Sequence, residues 1–438
     1  MAVVLAAAVA SAEAKGGNGM VQGMEARETR LENGLRVLIR EVRAAPVVSI
    51  YVWYRAGARD ERPGRSGLAH LLEHMMFKGS RKFGKGEIAR LVGRTGGQQN
   101  AFTSYDYTAY FATVPADHAD LVLEIEADRM RHARLAADEM RRERTVVLSE
   151  LKGNRNRSEV RLRDLVAAQT FLRHPYRRPV IGWDEDVASL TADDLRAFYR
   201  NHYRPDNATL VIVGDVDRER ILARVRHWFG GLAGAPRPEP PHPVPEEPAA
   251  AGERRVVLRD PSPVPMVRLH IRIPPAGHPD HFPLTILNDV LLKGKSSRLY
   301  RALVDGGLAT RVSGGVYEMR DPGIWVVTAV CRPKVSPSEV ESVMRKVFDD
   351  VRQHLLTARE FTRAVNQTRA ELVYARESLT DQAMLLGFYQ TVAGDWRLPG
   401  RYPEAVAAVK REQVREAARR YLVPERMTVG HLVPAGEG

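Results

Sequence analysis

The chain holds a single cysteine, Cys331, in 438 residues. One thiol excludes an internal disulfide and any metal site built from several thiolates. Its place after Val326-Val327-Thr328-Ala329-Val330 predicts a buried strand. Long apolar runs are equally scarce. Beyond the first residues, no segment approaches the ~18 unbroken apolar residues of a membrane helix, so no membrane span is expected. Aromatic residues make up 7% of the chain, and they do not interleave with basic residues as a nucleic-acid reader requires. No nucleic-acid partner is expected. The net charge is +12, but the charges are scattered, which describes a solvated, arginine-rich surface. The opening stretch, Met1-Ala2-Val3-Val4-Leu5-Ala6-Ala7-Ala8-Val9-Ala10-Ser11-Ala12-Glu13-Ala14, resembles the apolar core and cleavage site of a secretory signal, without a positive start. It points to the bacterial periplasm or to secretion, with the cytoplasm as the alternative.

What the chain does have is His70-Leu71-Leu72-Glu73-His74. On a helix, residues four apart lie on one face, one turn from each other. The two imidazoles therefore converge, with Glu73 beside them. Converging neutral imidazoles are the nitrogen half of a zinc site, and a neighbouring carboxylate can accept a proton from water that the metal acidifies. The order H-x-x-E-H inverts the commoner H-E-x-x-H protease signature. The flanks Gly67-Leu68-Ala69 and Met75-Met76-Phe77 are apolar. Polar groups set in such a background need partners, and a metal would serve them together.

A catalytic zinc keeps a third protein ligand. Residues 138–153 read as a helix, with Asp138 as N-cap and Gly153 as stop. Val146, Val147, Leu148 and Leu151 give it an apolar side. Glu143 and Glu150 stand two turns apart and face the same way. Glu150 lies within the apolar run and is the candidate ligand, with Glu143 orienting a histidine or a water behind it. Read alone, two carboxylates among many arginines describe a solvated helix face better than a metal site.

A wider pattern weighs on that reading. His70-x-x-Glu73-His74, followed by Arg141-Arg142-Glu143-Arg144-Thr145-Val146-Val147-Leu148-Ser149-Glu150, resembles the pitrilysin/insulinase family of inverse zincins. So does Gly96-Gly97-Gln98-Gln99-Asn100-Ala101-Phe102-Thr103, which is similar to the family's G-G-x-x-N-A-x-T strand. His174-Pro175-Tyr176, Pro205-Asp206-Asn207-Ala208-Thr209 and Gly394-Asp395-Trp396 extend the likeness along nearly the whole chain. The resemblance implies a zinc-dependent endopeptidase with one Zn2+ per chain, held by His70, His74 and Glu150. It implies Glu73 as general base and Glu143 as support for the site. It also implies that Asn100 and Ala101 belong to an edge strand on which a peptide substrate lies as an added strand. The composition of residues 100–112, rich in Thr, Tyr and Phe, agrees with a strand. Phe77 either lines a pocket for the residue after the scissile bond or packs in the core. Some members of the family are inactive scaffolds, but these lose the metal residues, and all four stand here.

The chain also reads as two copies of one unit. Aligning Lys78-Gly79 with Lys293-Gly294 places Thr285, Asn288 and Asp289 where His70, Glu73 and His74 stand. The second copy keeps the helix without the metal residues. Tyr203-Arg204-Pro205 before one strand matches Tyr421-Leu422-Val423-Pro424 before another. Strand-like runs such as Val47–Tyr54 and residues 210–213 alternate with helical stretches such as residues 117–136. The expected architecture is α+β: two homologous α+β domains, each a sheet covered by helices on one face, joined by a Pro-rich linker. The expected division is a leader at 1–25, the zinc-binding domain at 26–235, the linker at 236–252 and the second domain at 253–438.

One family feature is missing. Members that act alone carry an Arg and a Tyr, seven apart, after an S-R-L run in the second half. Ser297-Arg298-Leu299-Tyr300 keeps the run, but Val304 and Thr310 stand near the two positions. Neither donates a strong hydrogen bond to a developing oxyanion, and nothing in the spacing singles out Arg301, Arg311 or Tyr317 as a substitute. The expectation is a two-chain protease, whose homologous partner subunit supplies the Arg/Tyr pair, or a self-dimer in which other residues do so.

Overall fold

The computed structural model describes residues 24–232, 243–249, 251–261 and 264–435. Residues 1–23 of the leader and 236–242 of the linker therefore lie outside the described residues. Among the described residues, eleven strands form two mixed sheets. The first contains β1 (Arg27–Arg30), β2 (Arg36–Glu41), β3 (Val47–Tyr54), β4 (Gln98–Thr103), β5 (Thr108–Pro115) and β6 (Ala208–Gly214), in the order β1-β2-β6-β3-β5-β4. The second contains β7 (Arg254–Asp260), β8 (Met266–Arg272), β9 (Ala309–Tyr317), β10 (Ile324–Cys331) and β11 (Met427–Pro434), in the order β7-β11-β8-β10-β9. Without β1 the two orders correspond strand for strand. In each, the unit's last strand runs parallel to its first long strand, and the other neighbours are antiparallel. The duplication seen in the sequence is thus a duplication of topology.

Helices α1 (Leu68–Met75), α2 (Glu87–Arg94), α3 (Ala119–His132), α4 (Ala137–Arg155), α5 (Ser158–Thr170), α6 (Asp184–Ser189), α7 (Ala192–His202) and α8 (Arg218–Phe229) belong to the first half. The second half adds α9 (His281–Leu292), α10 (Pro337–Gln353), α11 (Ala358–Tyr374), α12 (Leu379–Val392), α13 (Leu398–Ala407) and α14 (Arg411–Tyr421). Apart from α5 and α12, the helices of each half gather on one face of their own sheet, as expected. The opposite faces are covered too. On β3, Val48, Ile50 and Val52 point into the first core, while Tyr51 and Trp53 point into a second core shared with Leu385, Leu386 and Phe388 of α12. Conversely, Leu162 and Val166 of α5 pack against Met266 of β8 and Leu432 of β11. Each half therefore lends one helix to the other half's sheet. The sequence carries a sign of this. A strand buried on both faces reads as a near-continuous apolar run, and Val47–Tyr54, interrupted only by Ser49, is such a run.

Each exchanged contact depends on a glycine. A Cβ on Gly387 of α12 would lie 1.9 Å from Nε1 of Trp53, and one on Gly430 of β11 would lie 2.3 Å from Cγ2 of Val166. Polar contacts add a second lock. The turn between β9 and β10 docks on the first half, where Asp106 accepts from Tyr176 Oη (2.5 Å) and from the Arg320 N–H (2.9 Å). Asp321 accepts from Arg59 Nε (2.6 Å) and contacts His174 Nε2 (2.9 Å). The Pro-rich stretch is strapped down as well: Glu247 accepts the backbone N–H groups of Leu172, Arg173 and His174 at 2.8, 2.9 and 3.1 Å.

Several local expectations change. Residues 100–112 are not one strand. They form the β4–β5 hairpin, closed where the Ser104 N–H donates to the Tyr107 carbonyl (2.8 Å). Residues 117–136 comprise a short 3-10 turn and then α3, which ends at His132. Helix α4 starts after Ala136 and runs through Gly153 to Arg155, so Gly153 does not stop it. Cys331 is buried at the end of β10, as expected.

Gly387→Ala and Gly430→Ala are each expected to lower the unfolding free energy by about 1–3 kcal/mol through overpacking. Gly153→Ala, where an added Cβ meets nothing within 4 Å, is expected to raise it by roughly 0.5–1 kcal/mol. Urea or thermal unfolding of the purified variants checks both signs.

Candidate metal centre

Helix α1 is held in place by what it buries. Leu68, Leu71, Leu72 and Met75 are buried in the first core, each stabilising the fold by about 1.5–3 kcal/mol relative to exposure. Its N-terminus is clamped by a carboxylate from the preceding loop. Glu61 accepts the N–H of Ala69 (2.8 Å) and of Gly67 (3.1 Å), satisfying two helix donors. Burial pushes Glu61 up to about 8 against the pull of those bonds. The remaining face of α1 carries His70, Glu73 and His74, all partly exposed.

Helix α4 lies against α1. Met140, Glu143, Val147 and Leu151 form its buried stripe at three- and four-residue steps. Val146 is 50% exposed, so the run 146–151 is not a continuous apolar face. Glu150 stands at the edge of the stripe, with its side chain 45% exposed. Its Oε2 lies 3.9 Å from His70 Nε2 and 4.0 Å from His74 Nε2. One donor atom each from His70, His74 and Glu150 lie within 4.8 Å of one another. In a tetrahedral zinc site, ligand atoms about 2.0–2.2 Å from the ion stand about 3.3 Å apart. Small rotations of the exposed Glu150 side chain would close that difference. Two imidazoles and a carboxylate form a donor set suited to a divalent ion such as zinc.

The groups behind the donors differ. His74 Nδ1 lies 3.0 Å from Glu143 Oε1, which leaves Nε2 to face His70 and Glu150. Glu143 is in turn held by Lys78 Nζ at 2.5 Å. Burial pushes the Glu143 carboxyl up, but the hydrogen bonds of Lys78 and His74 outweigh it and keep the group below its usual range. It is therefore an anion that fixes the His74 ring. The Nδ1 of His70 is buried without a hydrogen-bond partner. Burial, and then the neighbouring His74, push His70 down to about 4, so it stays neutral as a ligand must.

Glu73 sits beside this cluster. Burial raises its pKa, opposed by a hydrogen bond from Thr103 and by His74. Thr103 Oγ1 donates to Glu73 Oε2 at 2.5 Å. Thr103 ends β4, which among the described residues pairs only with β5 and so forms an edge of the first sheet. Asn100 and Ala101 lie on that strand. Asn100 is exposed, and its Oδ1 accepts the Ala101 N–H at 2.9 Å. Phe77 packs partly buried against the first core, 6.2 Å from the Tyr110 ring and beside Arg129. Sequence reasoning passed over Glu61, Lys78 and Thr103. Lys78 and Thr103 stood inside motifs already quoted, whereas nothing local marks Glu61.

The corresponding helix of the second half, α9, is filled in. Asp289 Oδ2 accepts from Lys293 Nζ (3.0 Å) and Thr368 Oγ1 (2.7 Å). Asn288 Oδ1 accepts from Trp325 Nε1 (3.0 Å), and the Thr285 hydroxyl meets that of Tyr402 at 2.9 Å. These polar groups satisfy one another.

Known proteins resemble this chain in sequence and fold. The family model described as insulinase (peptidase family M16) matches residues 36–184, and that described as peptidase M16 inactive domain matches residues 189–368. An uncharacterized zinc protease of Mycobacterium tuberculosis is 32% identical over 412 residues, which cover 94% of this chain and 93% of its own. The zinc protease PqqE of Helicobacter pylori is 30% identical over 363 residues, 82% of each chain. The crystal structure of a protease from Helicobacter pylori superimposes with a TM-score of 0.90 at 28% identity, covering 94% of this chain and 100% of that one. With a third of its residues shared over almost its full length, the chain belongs to the insulinase family of peptidases, M16.

Proposed function

We propose that the chain is a zinc-dependent endopeptidase that hydrolyses extended peptides, with His70, His74 and Glu150 holding one zinc and Glu73 as general base. The observation that carries this reading is the meeting of the two imidazoles of α1 with the Glu150 carboxylate of α4, beside Glu73. When bound, zinc acidifies water and polarises a carbonyl. The protein's own groups supply the rest. Glu73, partly buried, takes a proton from the attacking water at its carboxylate and returns it to the departing amine. Glu143 holds the His74 ring. Strand β4 offers outward backbone groups to an extended peptide, which binds as an added strand with little demand on its sequence. In this reading the partly buried Phe77 borders the bound peptide beyond the scissile bond.

The chain is further proposed to work as the zinc-bearing subunit of a two-chain protease, with a homologous subunit that brings the Arg/Tyr pair or with a second copy of itself. Val304 is partly buried against the second core, and the Thr310 hydroxyl donates to the Val330 carbonyl at 3.3 Å. Neither is a free donor for an oxyanion. The signal-like start supports a periplasmic location. Among the described residues, no helix is long and apolar enough to cross a membrane.

Glu73→Gln is expected to keep one zinc per chain and to lower turnover of internally quenched peptides by about 100-fold or more. His70→Ala and Glu150→Gln are expected to lose zinc and activity together. Metal analysis and peptide hydrolysis, with and without a candidate partner chain, read both; absence of stoichiometric zinc in the wild type would overturn the reading. Glu143→Gln removes the anion from His74 and is expected to weaken zinc retention about 10–100-fold, measured by chelator competition.

A further inference from the structure

Strand β4 ends where the candidate base begins. In an antiparallel pair, alternate residues point their backbone groups at the partner strand, and the residues between point them away. The Ser104 N–H bond to the Tyr107 carbonyl fixes which is which. By that alternation Asn100 and Phe102 pair with β5, while Ala101 and Thr103 carry outward groups. The outward row does not continue past Thr103. The Ser104 and Tyr105 carbonyls are taken by the N–H groups of Ala58 (3.1 Å) and Arg59 (2.9 Å). Thr103 itself is committed to Glu73: its hydroxyl donates to Oε2 at 2.5 Å. Behind it stands the Thr108 hydroxyl, 3.5 Å away, whose own proton goes to the Ala56 carbonyl at 2.9 Å.

We propose that Thr103 is the positioning residue for Glu73, tying that carboxylate to the last residue of the edge strand on which an added peptide strand would lie. The inference rests on the peptidase reading above. The hydroxyl that orients the candidate base belongs to the same strand that offers its edge to the peptide. One side chain thus couples the docking of substrate to the placement of the base.

The test compares zinc-loaded wild type, Thr103→Val and Thr103→Ser. Valine keeps the shape and removes the hydroxyl, whereas serine keeps the hydroxyl. Thr103→Val is expected to retain its zinc, to lose about 100-fold in kcat on internally quenched peptides and to leave KM within about twofold. Thr103→Ser is expected to stay within about threefold of wild type. Crystal structures of the three zinc-loaded proteins are expected to show the Glu73 carboxylate displaced in the valine variant alone. Wild-type kcat in Thr103→Val, or equal losses in the serine and valine variants, would overturn the proposal. So would an unmoved Glu73 carboxylate in the valine variant, and this last result is decisive whatever the turnover. If zinc-loaded wild type hydrolyses no peptide, with or without a partner, the peptidase reading fails while the structures still decide the role of Thr103.

Discussion

The site depends on one packing constraint: α1 and α4, separated by more than sixty residues of chain, must lie side by side on the same face of one sheet. Leu71 and Leu72 from α1 and Val147 and Leu151 from α4 share the first core. Their burial fixes both the spacing and the rotation of the two helices. Only then do His70, His74, Glu143 and Glu150 meet, each at the rim of that apolar contact. Polar side chains at the edge of a core are costly unless they satisfy one another. Here Glu143 answers His74, Lys78 answers Glu143, and the open side is left to Glu150 and the Nε2 atoms.

The same constraint appears in the second half with the opposite outcome. Helices α9 and α11 repeat the arrangement of α1 and α4. The side chains at the meeting point are Asp289, Lys293 and Thr368, which close on each other. No donor set remains there. One topology therefore supplies a candidate reactive face and a filled structural counterpart. The exchanged helices α5 and α12, and the Asp321 contacts, bind the two halves into one body. Whatever a peptide meets on β4 is set against a braced scaffold, because both faces of β3 and β6 are buried.

Much of this was legible in the sequence because it follows short-range rules. The spacing of His70 and His74 means one helix face wherever that helix lies. The strand-like run Val47–Tyr54, rich in β-branched and aromatic residues, is a strand. The Lys-Gly pairs revealed the repeat. Other features were misread for equally physical reasons. Ser104-Tyr105-Asp106 carries neither Gly nor Pro, so the β4–β5 turn was hidden in a strand-like composition. The helix passes through Gly153 because tertiary packing of Val147 and Leu151 outweighs the weak local preference of one glycine.

What the sequence by itself determined is the set of chemical groups and their local faces: two imidazoles and a carboxylate on one helix, two carboxylates seven residues apart on one side of another, and a strand-forming segment from Asn100 onward. Only the tertiary structure decided which of those groups meet. It chose Glu150 over the many other exposed acids, gave Glu143 to His74, and set Glu61 under the start of α1. The reason is that these contacts join residues far apart in the chain. Their geometry comes from the packing of whole helices on a sheet, a quantity that no local pattern of residues carries.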